Sequence, residues 1–319
     1  MSSNPEELVK YMNKNYPNGN YHSVYEAGFS GFWADRALRE AGFDNMIVNP
    51  AQVPRNAQEK LRKSDAIDSS KLARELENGS LQDHKMYIPT VAEEGFRSLC
   101  RCRTQLVREQ ARIKNQIKAL LNFLGVRTPN EKGMSQWSGK YIEYLSELKL
   151  PDKASEIALK LKIVHLRNIR LSLAETVKQI RLFVEQDSEK KAIIKLLMTV
   201  PGVGFTIATI LYSELMNIER FSKFDNLCRY VGLSPDTRAS GQSEVDLGLT
   251  KLYLRYVRNV IIESAWISMR KDPALTEAYC NFVKRMSKQE AIVRIAKKIV
   301  SRVMSIWKNK KEYVLAVVA

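Results

Sequence analysis

Three acidic residues near the start of the chain have the side chains that a metal ion would need. Glu26 closes the strand-like stretch "YHSVYE", and Asp65 and Asp68 open the helix-like stretch "DAIDSSKLARELENG". A helix places residues three apart on one face. Carboxylates from a strand end and a helix start can hold Mg²⁺, which prefers hard oxygen ligands and serves phosphodiester chemistry. The residues alone leave other roles open, because Asp65 could cap the helix, Asp68 could favour its dipole and Glu26 could simply be solvated.

A serine hydroxyl is the other group that could do chemistry. The stretch "PDTRASGQSEVDLGLTK", residues 235–251, is short of large apolar residues and carries the pair Ser240-Gly241. A hydroxyl can be a nucleophile when it is activated. Ser-Gly pairs are also common in turns, and no histidine lies nearby in the sequence to act as a base. The stretch is therefore either a solvated loop between helices or a loop that delivers a nucleophile.

A glycine-containing turn provides a candidate phosphate contact. The sequence "VPGVGFTIATIL" has the form helix, Pro-Gly-apolar-Gly, helix, which is typical of a helix-hairpin-helix. Gly202 and Gly204 permit a tight turn whose free N–H groups can face a phosphate at a helix start. Such a motif contacts the nucleic-acid backbone without reading its sequence. An ordinary helical hairpin would have the same pattern.

The charge of the chain favours a polyanionic partner. Its 319 residues include 51 Lys plus Arg against 35 Asp plus Glu, a formal net charge of +16. Basic surfaces gain free energy by releasing counterions from phosphate backbones, so nucleic acid is the expected partner. The candidate backbone-binding residues on the long helices and near residue 250 are Arg97, Arg101, Arg103, Arg108, Arg112, Lys114, Lys251 and Arg255. We expect no membrane partner and a cytoplasmic, nucleoid-associated protein, because no apolar run approaches about 20 residues.

The pattern of elements predicts an α/β fold joined to an all-α fold. Residues 1–90 alternate helix and strand, with strands at 21–26 and 46–48, so parallel pairing is expected. Residues 91–190 hold two apolar seams at 3,4 spacing, which predict long antiparallel coiled-coil helices around a loop with a short helix. Residues 191–319 have the pattern of a compact helical module.

Several stretches, taken in order, resemble the insertion-sequence one-ten family of transposases. This family is also known as the bridge-RNA-guided recombinases, with the Piv-type DNA invertases as relatives. The stretches are "YEAGFSGF", "VNPAQVPR", "KSDAIDSSKLARELENG", "VPGVG", "YVGLSP", "SGQSEVDLGLTK" and "IIESAW". The resemblance covers roughly residues 20–319. Its Glu-Ala-Gly and Val-Pro-Arg motifs are most similar to those of the IS-eleven-eleven branch.

The resemblance implies roles for the residues above. Residues 1–90 would be an N-terminally incomplete RuvC-like domain of RNase H fold, with a metal site of the pattern Asp, Glu, Asp, Asp. Glu26 matches its Glu, and Asp65 and Asp68 match its last two acids, with Mg²⁺ as the ion. Ser240 matches the serine that attacks a DNA phosphodiester and forms a transient phosphoserine link. The implied partners are DNA, a noncoding guide (bridge) RNA and further copies of the chain, as a homodimer or homotetramer.

The chain departs from the family pattern in two places. Where the family has a basic tract after the Ser-Gly pair, this chain has "QSEVDLG". No "G-I-D" type strand with the first Asp precedes Glu26, and neither Asp35, on a helix, nor Asp44, at the wrong strand end, is a good substitute. The sequence therefore predicts weak strand exchange unless such a strand is supplied. The alternatives are a site-specific DNA invertase of the same family and a non-catalytic nucleic-acid-binding remnant.

Overall fold

The computed structural model describes residues 4–50, 53, 64–127, 134–240, 243–250 and 254–315. Packing divides the chain into two units, Met1–Thr90 and Val91–Ala319. Each unit has its own hydrophobic core. The first unit combines helices with a parallel strand pair, and the second is helical apart from one β-hairpin.

The first unit alternates helices and strands, as the sequence predicts. Its elements are α1 (Pro5–Asn15), β1 (His22–Glu26), α2 (Trp33–Glu40), β2 (Asp44–Val48) and α3 (Asp65–Glu77). The two strands pair in parallel, in register from His22 opposite Asp44 to Glu26 opposite Val48. The predicted parallel arrangement is confirmed for these two strands, which are the strands of this unit among the described residues.

The core of the first unit lies beneath β2. Met46, Ile47 and Val48 are buried in succession, as in a strand that is covered on both faces. Met46 and Val48 pack in a small cluster with residues of α3 and of the segment that follows it. The helices stop where glycine permits a left-handed backbone, at Gly42 with φ +87° and Gly79 with φ +71°.

The start of α3 differs from the prediction. Ser64, not Asp65, is the N-cap, because Ser64 has an extended backbone and its Oγ accepts a hydrogen bond of 3.3 Å from the Ile67 N–H. Asp65 is already the first helical residue. The N-cap role, the alternative to metal binding for Asp65, is therefore excluded. Both Asp65 and Asp68 still lie in the first turn, where a negative charge interacts favourably with the helix dipole.

The second unit contains the long helices and the C-terminal module. Its elements are α4 (Val91–Phe123), α5 (Gly139–Glu147), α6 (Lys153–Glu185), α7 (Ser188–Leu197), α8 (Phe205–Leu215), α9 (Phe224–Tyr230), β3 (Pro235–Ser240), β4 (Ser243–Leu249), α10 (Arg255–Lys271), α11 (Pro273–Val283) and α12 (Lys288–Asn309). Two cores hold this unit together. One lies between the C-terminal part of α4, α5 and the N-terminal half of α6, and the other joins the start of α4 and the end of α6 to α7–α12.

The two long helices pack side by side and antiparallel. Phe96 near the start of α4 shares a core with Val184 near the end of α6, and Ile117 shares another core with Leu166. Each helix has 33 residues and is therefore about 50 Å long. The two predicted seams thus face each other within one chain, and α5 covers one end of their contact.

The C-terminal module is built around α8, which is buried on most of its surface. Ala208, Leu211 and Leu215 are almost fully buried, and α8 packs against α4, α7 and α10. The last helix begins with a capping box, in which the Ser287 hydroxyl and the Glu290 carboxylate satisfy each other's backbone N–H groups. These contacts make α7–α12 a compact support for the segment between α9 and α10.

That segment is a β-hairpin, not the loop that the sequence predicts. β3 and β4 are antiparallel, with Ser240 opposite Ser243 as the last pair before the turn. The register shifts between Pro235 and Thr237, and Gly248 has φ +80°, both of which are marks of a β-bulge. The module is therefore not all-helical. A two-residue connection containing glycine is a known hairpin signal, and the charged residues of "SEVDLGL" hide the alternation that strands usually show.

Candidate functional site

The three candidate metal ligands lie in the first unit on two elements that contact each other. Glu26 is the last residue of β1, and Asp65 and Asp68 are in the first turn of α3, which packs against β1. Glu26 and Asp68 are half-buried, and Asp65 is exposed. The donors are hard carboxylate oxygens, so their chemistry suits a divalent ion.

The described residues do not by themselves form a metal site. No group of three or more His, Cys, Asp and Glu residues lies close enough together to hold an ion within the part of the chain that the structure describes. Glu26, Asp65 and Asp68 all belong to that part. Their geometry therefore does not fit a complete ion site, and their role as ligands stays a prediction.

The other two acids considered for the site have structural surroundings. Asp35 is fully buried and binds Arg39 Nε at 2.9 Å, while Asn45 Nδ2 donates to its Oδ1 at 2.7 Å. Asn45 in turn accepts from Ser23 Oγ at 2.7 Å, which ties α2 to both strands. Asp44 is exposed at the start of β2, 3.3 Å from the His22 ring. Asp35 is therefore committed to a buried network, as expected for a carboxylate that must be paired inside a protein.

Ser240 occupies the end of the β-hairpin. It is the last residue of β3 and pairs with Ser243, the first residue of β4. The base of the hairpin is anchored in the C-terminal module, because Leu233 is fully buried there and Thr250 N–H donates to the Ser234 carbonyl at 3.0 Å. Ser240 therefore lies next to the turn of the hairpin, at the end opposite its anchored base.

The Pro-Gly-Val-Gly turn joins α7 to α8, and its two glycines have different surroundings. Gly202 has φ +85°, and its neighbouring carbonyls accept from α10: Ser264 Oγ reaches the Gly202 carbonyl at 3.0 Å, and Ser268 Oγ reaches the Pro201 carbonyl at 2.5 Å. A Cβ at Gly204 would meet nothing within 4 Å. Gly202 thus serves the packing of the turn, while Gly204, at the uncapped start of α8, is the open position where a phosphate could approach.

Arg101 is already engaged within the protein. Its Nε and Nη2 donate to the two carboxylate oxygens of Glu214 at 2.8 and 2.9 Å, and Glu214 is fully buried. Tyr256 of α10 donates to the same carboxylate. The pKa of Arg101 is raised chiefly by the hydrogen bond to Glu214. A phosphate would have to displace this buried carboxylate, so the arrangement fits an anchor between α4, α8 and α10 better than a nucleic-acid contact.

The remaining basic candidates on α4 fall into two groups. Arg97 and Arg103 are half-buried, and burial is the main cause that lowers the pKa of each. Arg108 and Arg112 are exposed and line a shallow groove with Gln105 and Glu109. The exposed pair is better placed than Arg97 or Arg103 to bind a phosphate backbone.

The last three candidates lie further along the chain. Lys114 is half-buried and donates to Gln110 Oε1 at 3.2 Å. Arg255 is exposed as the first residue of α10. Lys251 lies outside the described residues. A role for any of these in nucleic-acid binding stays a prediction.

The buried cysteines are poor rivals for the nucleophile. Cys100 and Cys228 are buried, and burial raises their thiol pKa to about 12 and about 11. A thiol with such a pKa is almost entirely protonated at neutral pH and therefore unreactive.

Among the described helices, none is both long enough and apolar enough to cross a membrane.

Two stretches of the chain match models of known transposase families. Residues 5–125 match the DEDD transposase model of the IS110 family, and residues 194–280 match the model described as Transposase IS116/IS110/IS902 family. The first match suggests that the protein uses a divalent metal ion.

The curated proteins that are similar to this chain are also named as transposases. A putative transposase of Sinorhizobium fredii, y4qE, is 29 % identical over 76 % of this chain and 57 % of its own length. A second one from that organism, y4rJ, is 27 % identical over 89 % of this chain and 76 % of its own length. The transposase for insertion sequence element IS1111A of Coxiella burnetii is 23 % identical over 85 % and 72 %. With two family models matched in order along the sequence, the chain belongs to the IS110 family of transposases.

Proposed function

We propose that this chain is a DNA recombinase of an insertion sequence that cleaves and exchanges DNA strands through the hydroxyl of Ser240. The carrying observation is that the second family model, over residues 194–280, spans a hairpin whose last β3 residue is Ser240. A residue next to the turn of a hairpin that is anchored at its base can be brought to a DNA backbone. The fold on which the reaction depends would be the RuvC-like one that the resemblance implies for residues 1–90.

The proposed chemistry is a pair of transfers at phosphorus. Ser240 Oγ forms a bond to the phosphorus of a DNA phosphodiester, and the bond from phosphorus to one strand oxygen breaks. The serine hydroxyl loses its proton, and the departing strand oxygen gains one and leaves as a free hydroxyl. A hydroxyl of the exchanged strand then attacks the phosphoserine and releases Ser240. A covalent intermediate of this kind divides one difficult step into two easier ones and conserves the phosphodiester energy.

The proposed cofactor is Mg²⁺, held in part by Glu26, Asp65 and Asp68. The match to a DEDD model supports the use of a divalent ion, and a bound ion would polarise the phosphate. The described residues do not gather these three carboxylates into an ion site, so their role as ligands rests on the resemblance. What the chain itself contributes is a β1 end and a helix start that lie side by side and carry negative charge.

The proposed partners are DNA and a noncoding guide RNA. The net charge of +16 supports binding of phosphate backbones, and the exposed Arg108, Arg112 and Arg255 are the candidates that the structure leaves accessible. The resemblance, and not the charge, is the reason for assigning sequence recognition to a guide RNA. A site-specific DNA invertase is the alternative within the family, and the DNA that flanks the gene distinguishes the two.

A strand-exchange assay tests the proposed function. Donor and target DNA are incubated with the full chain, Mg²⁺ and RNA transcribed from the flanks of its element, and recombinant junctions are amplified. We expect junctions with RNA and Mg²⁺, at the weak level that the sequence predicts for this chain, and none when the RNA or the ion is omitted. Binding of DNA or RNA without junctions under any of these conditions would instead support the non-catalytic alternative.

We also propose a homodimer, formed through α6. Besides the seam that faces α4, this helix exposes a second row of apolar residues at the 3,4 spacing of a coiled coil. Ile157, Leu161, Val164 and Leu171 are 50, 66, 50 and 71 % exposed. Asn168 occupies the position between Val164 and Leu171, and one asparagine in such a seam fixes the register of paired helices.

Replacing Leu161 and Leu171 with lysine should convert the dimer to a monomer. Both side chains are exposed within the chain, so the substitutions should cost about 0.5 kcal/mol of folding stability or less while placing charges in the seam. Sedimentation at micromolar concentration would show the mass fall by half. The matched control is Ala192→Lys with Ser301→Lys, which adds the same charge at exposed positions of α7 and α12. A native chain that sediments as a monomer would contradict the proposal.

A further inference from the structure

Three cationic side chains surround one tryptophan at the side of the long helices. Lys114 and Lys118 lie one turn apart on α4, and their Nζ atoms are 5.6 and 5.9 Å from the centroid of the Trp137 ring. Arg170 of α6 donates from Nη2 to the Trp137 carbonyl at 2.5 Å. We call these four residues the Trp137 cluster. Of these four residues, only Lys114 is a binding candidate from the sequence, because the four come from three separate segments.

The backbone holds Trp137 in an unusual conformation. Its φ is +67°, in the left-handed region that side chains other than glycine rarely adopt. The ring makes an edge contact with Tyr141, at 5.6 Å between centroids and 73° between planes, and Tyr141 is buried in the core of the long helices. A non-glycine residue in this region costs free energy, and such residues cluster at ligand-binding positions. The ring itself stays half-exposed.

The cations of the cluster repel one another. Within the described part of the chain, no ion pair joins Lys114, Lys118 or Arg170 to a carboxylate, and the hydrogen bond of Lys114 is to the neutral Gln110. Burial, and then the nearby Arg170 and Lys118, lower the pKa of Lys114. An anion between these groups would relieve the repulsion.

We propose that the Trp137 cluster binds a single-stranded segment of nucleic acid, with a phosphate between the three cations and an unpaired base against the Trp137 ring. Cationic side chains beside an exposed aromatic ring are the means by which proteins hold single strands without reading their sequence. A duplex hides the faces of its bases, so the tryptophan would add nothing to duplex binding. The proposal rests on the proposed function in one respect only, namely that the chain handles nucleic acid. Both RNA and DNA strands have the required chemistry.

Binding of labelled oligonucleotides to the full chain tests the proposal. The probes are a 5′-labelled single-stranded RNA, the DNA strand of the same sequence and the DNA duplex. In the variant Lys114→Gln/Lys118→Gln/Arg170→Gln, we expect single-strand affinity to fall about tenfold or more, with a smaller loss for duplex. The slope of log affinity against log salt should fall by about 0.7, since the variant loses one phosphate contact and each contributes about 0.7 for single strands. The matched control is Lys178→Gln/Lys195→Gln/Lys271→Gln, which removes three exposed charges elsewhere and should change affinity less.

Two further variants separate binding from folding. Lys118 is exposed, so Lys118→Gln alone should leave the melting temperature unchanged and still weaken single-strand binding. Trp137→Leu should weaken it too, and Trp137→Tyr should restore it, because tyrosine keeps an aromatic face. Native affinity in the triple variant, or an equal loss in the matched control, would overturn the proposal. So would a preference of the native chain for duplex that the triple variant loses. None of these outcomes bears on covalent strand cleavage, so the proposed function can stand if this inference fails.

Discussion

Replacing Gly202 with alanine will lower the melting temperature of the protein by about 5–15 °C, the largest stability change that we expect from any one methyl group in this chain. The added Cβ would lie 2.4 Å from Ser268 Oγ, 2.7 Å from the Ser264 carbonyl oxygen and 2.9 Å from the Ser268 backbone nitrogen. The hydroxyl can rotate away, but the two backbone atoms belong to α10 and cannot move without the helix. Thermal unfolding followed by circular dichroism at 222 nm measures the change.

Two costs add at this position. The φ of +85° is strained for alanine, and the turn must separate from α10, so we expect a loss of about 2–5 kcal/mol. The separation would also break the hydrogen bonds from Ser264 and Ser268 that satisfy the carbonyls of the turn. Because α8 is central to the core of the C-terminal module, the damage extends beyond the turn.

The motif contains its own control at Gly204. This residue has an extended backbone, stands at the N-cap of α8 and has open space where a Cβ would lie. Gly204→Ser should therefore leave stability unchanged or raise it slightly, because serine is a good N-cap. If Gly202→Ala melted with the native protein, or if the Gly204 variant lost as much stability, the packing role assigned to Gly202 would be wrong.

Much of the fold could be predicted because its signals are local. The strand ending at Glu26, the glycine stops at Gly42 and Gly79 and the seams of α4 and α6 all follow from short-range rules. Those rules failed where two neighbours compete for one role. Ser64 and Asp65 are both good N-cap residues, and the backbone conformation decides in favour of Ser64.

The candidate site was less predictable, because its contacts join distant residues. Arg101 resembled its neighbours on α4 until the structure placed Glu214, 113 residues away, against its guanidinium. Gly202 had the pattern of a phosphate-binding turn, but the contact that requires a glycine comes from Ser264 and Ser268 on α10. The strands that carry Ser240 were missed since their charged residues obscure the alternation of a half-buried strand.

Replacing Ser240 with alanine should abolish covalent attachment of the protein to DNA and reduce strand exchange by about a thousandfold or more, as expected when a nucleophile is removed. Ser240 ends β3 at the turn of the hairpin, so we expect folding stability to change by about 0.5 kcal/mol or less. Binding of nucleic acid should be nearly unchanged, since the basic residues remain. Ser243→Ala is the matched control. It removes a hydroxyl from the residue that pairs with Ser240, and it should leave covalent attachment and strand exchange intact.

The most direct test of the account is the identity of the residue that carries DNA. The native chain is reacted with labelled DNA in the presence of Mg²⁺ and RNA, quenched in denaturant and digested, and the nucleotide-bearing peptide is sequenced by mass spectrometry. The account predicts one phosphodiester adduct, on Ser240, which disappears in Ser240→Ala and persists in Ser243→Ala. An adduct on any other residue, or strand exchange by the native chain with no adduct at all, would contradict it.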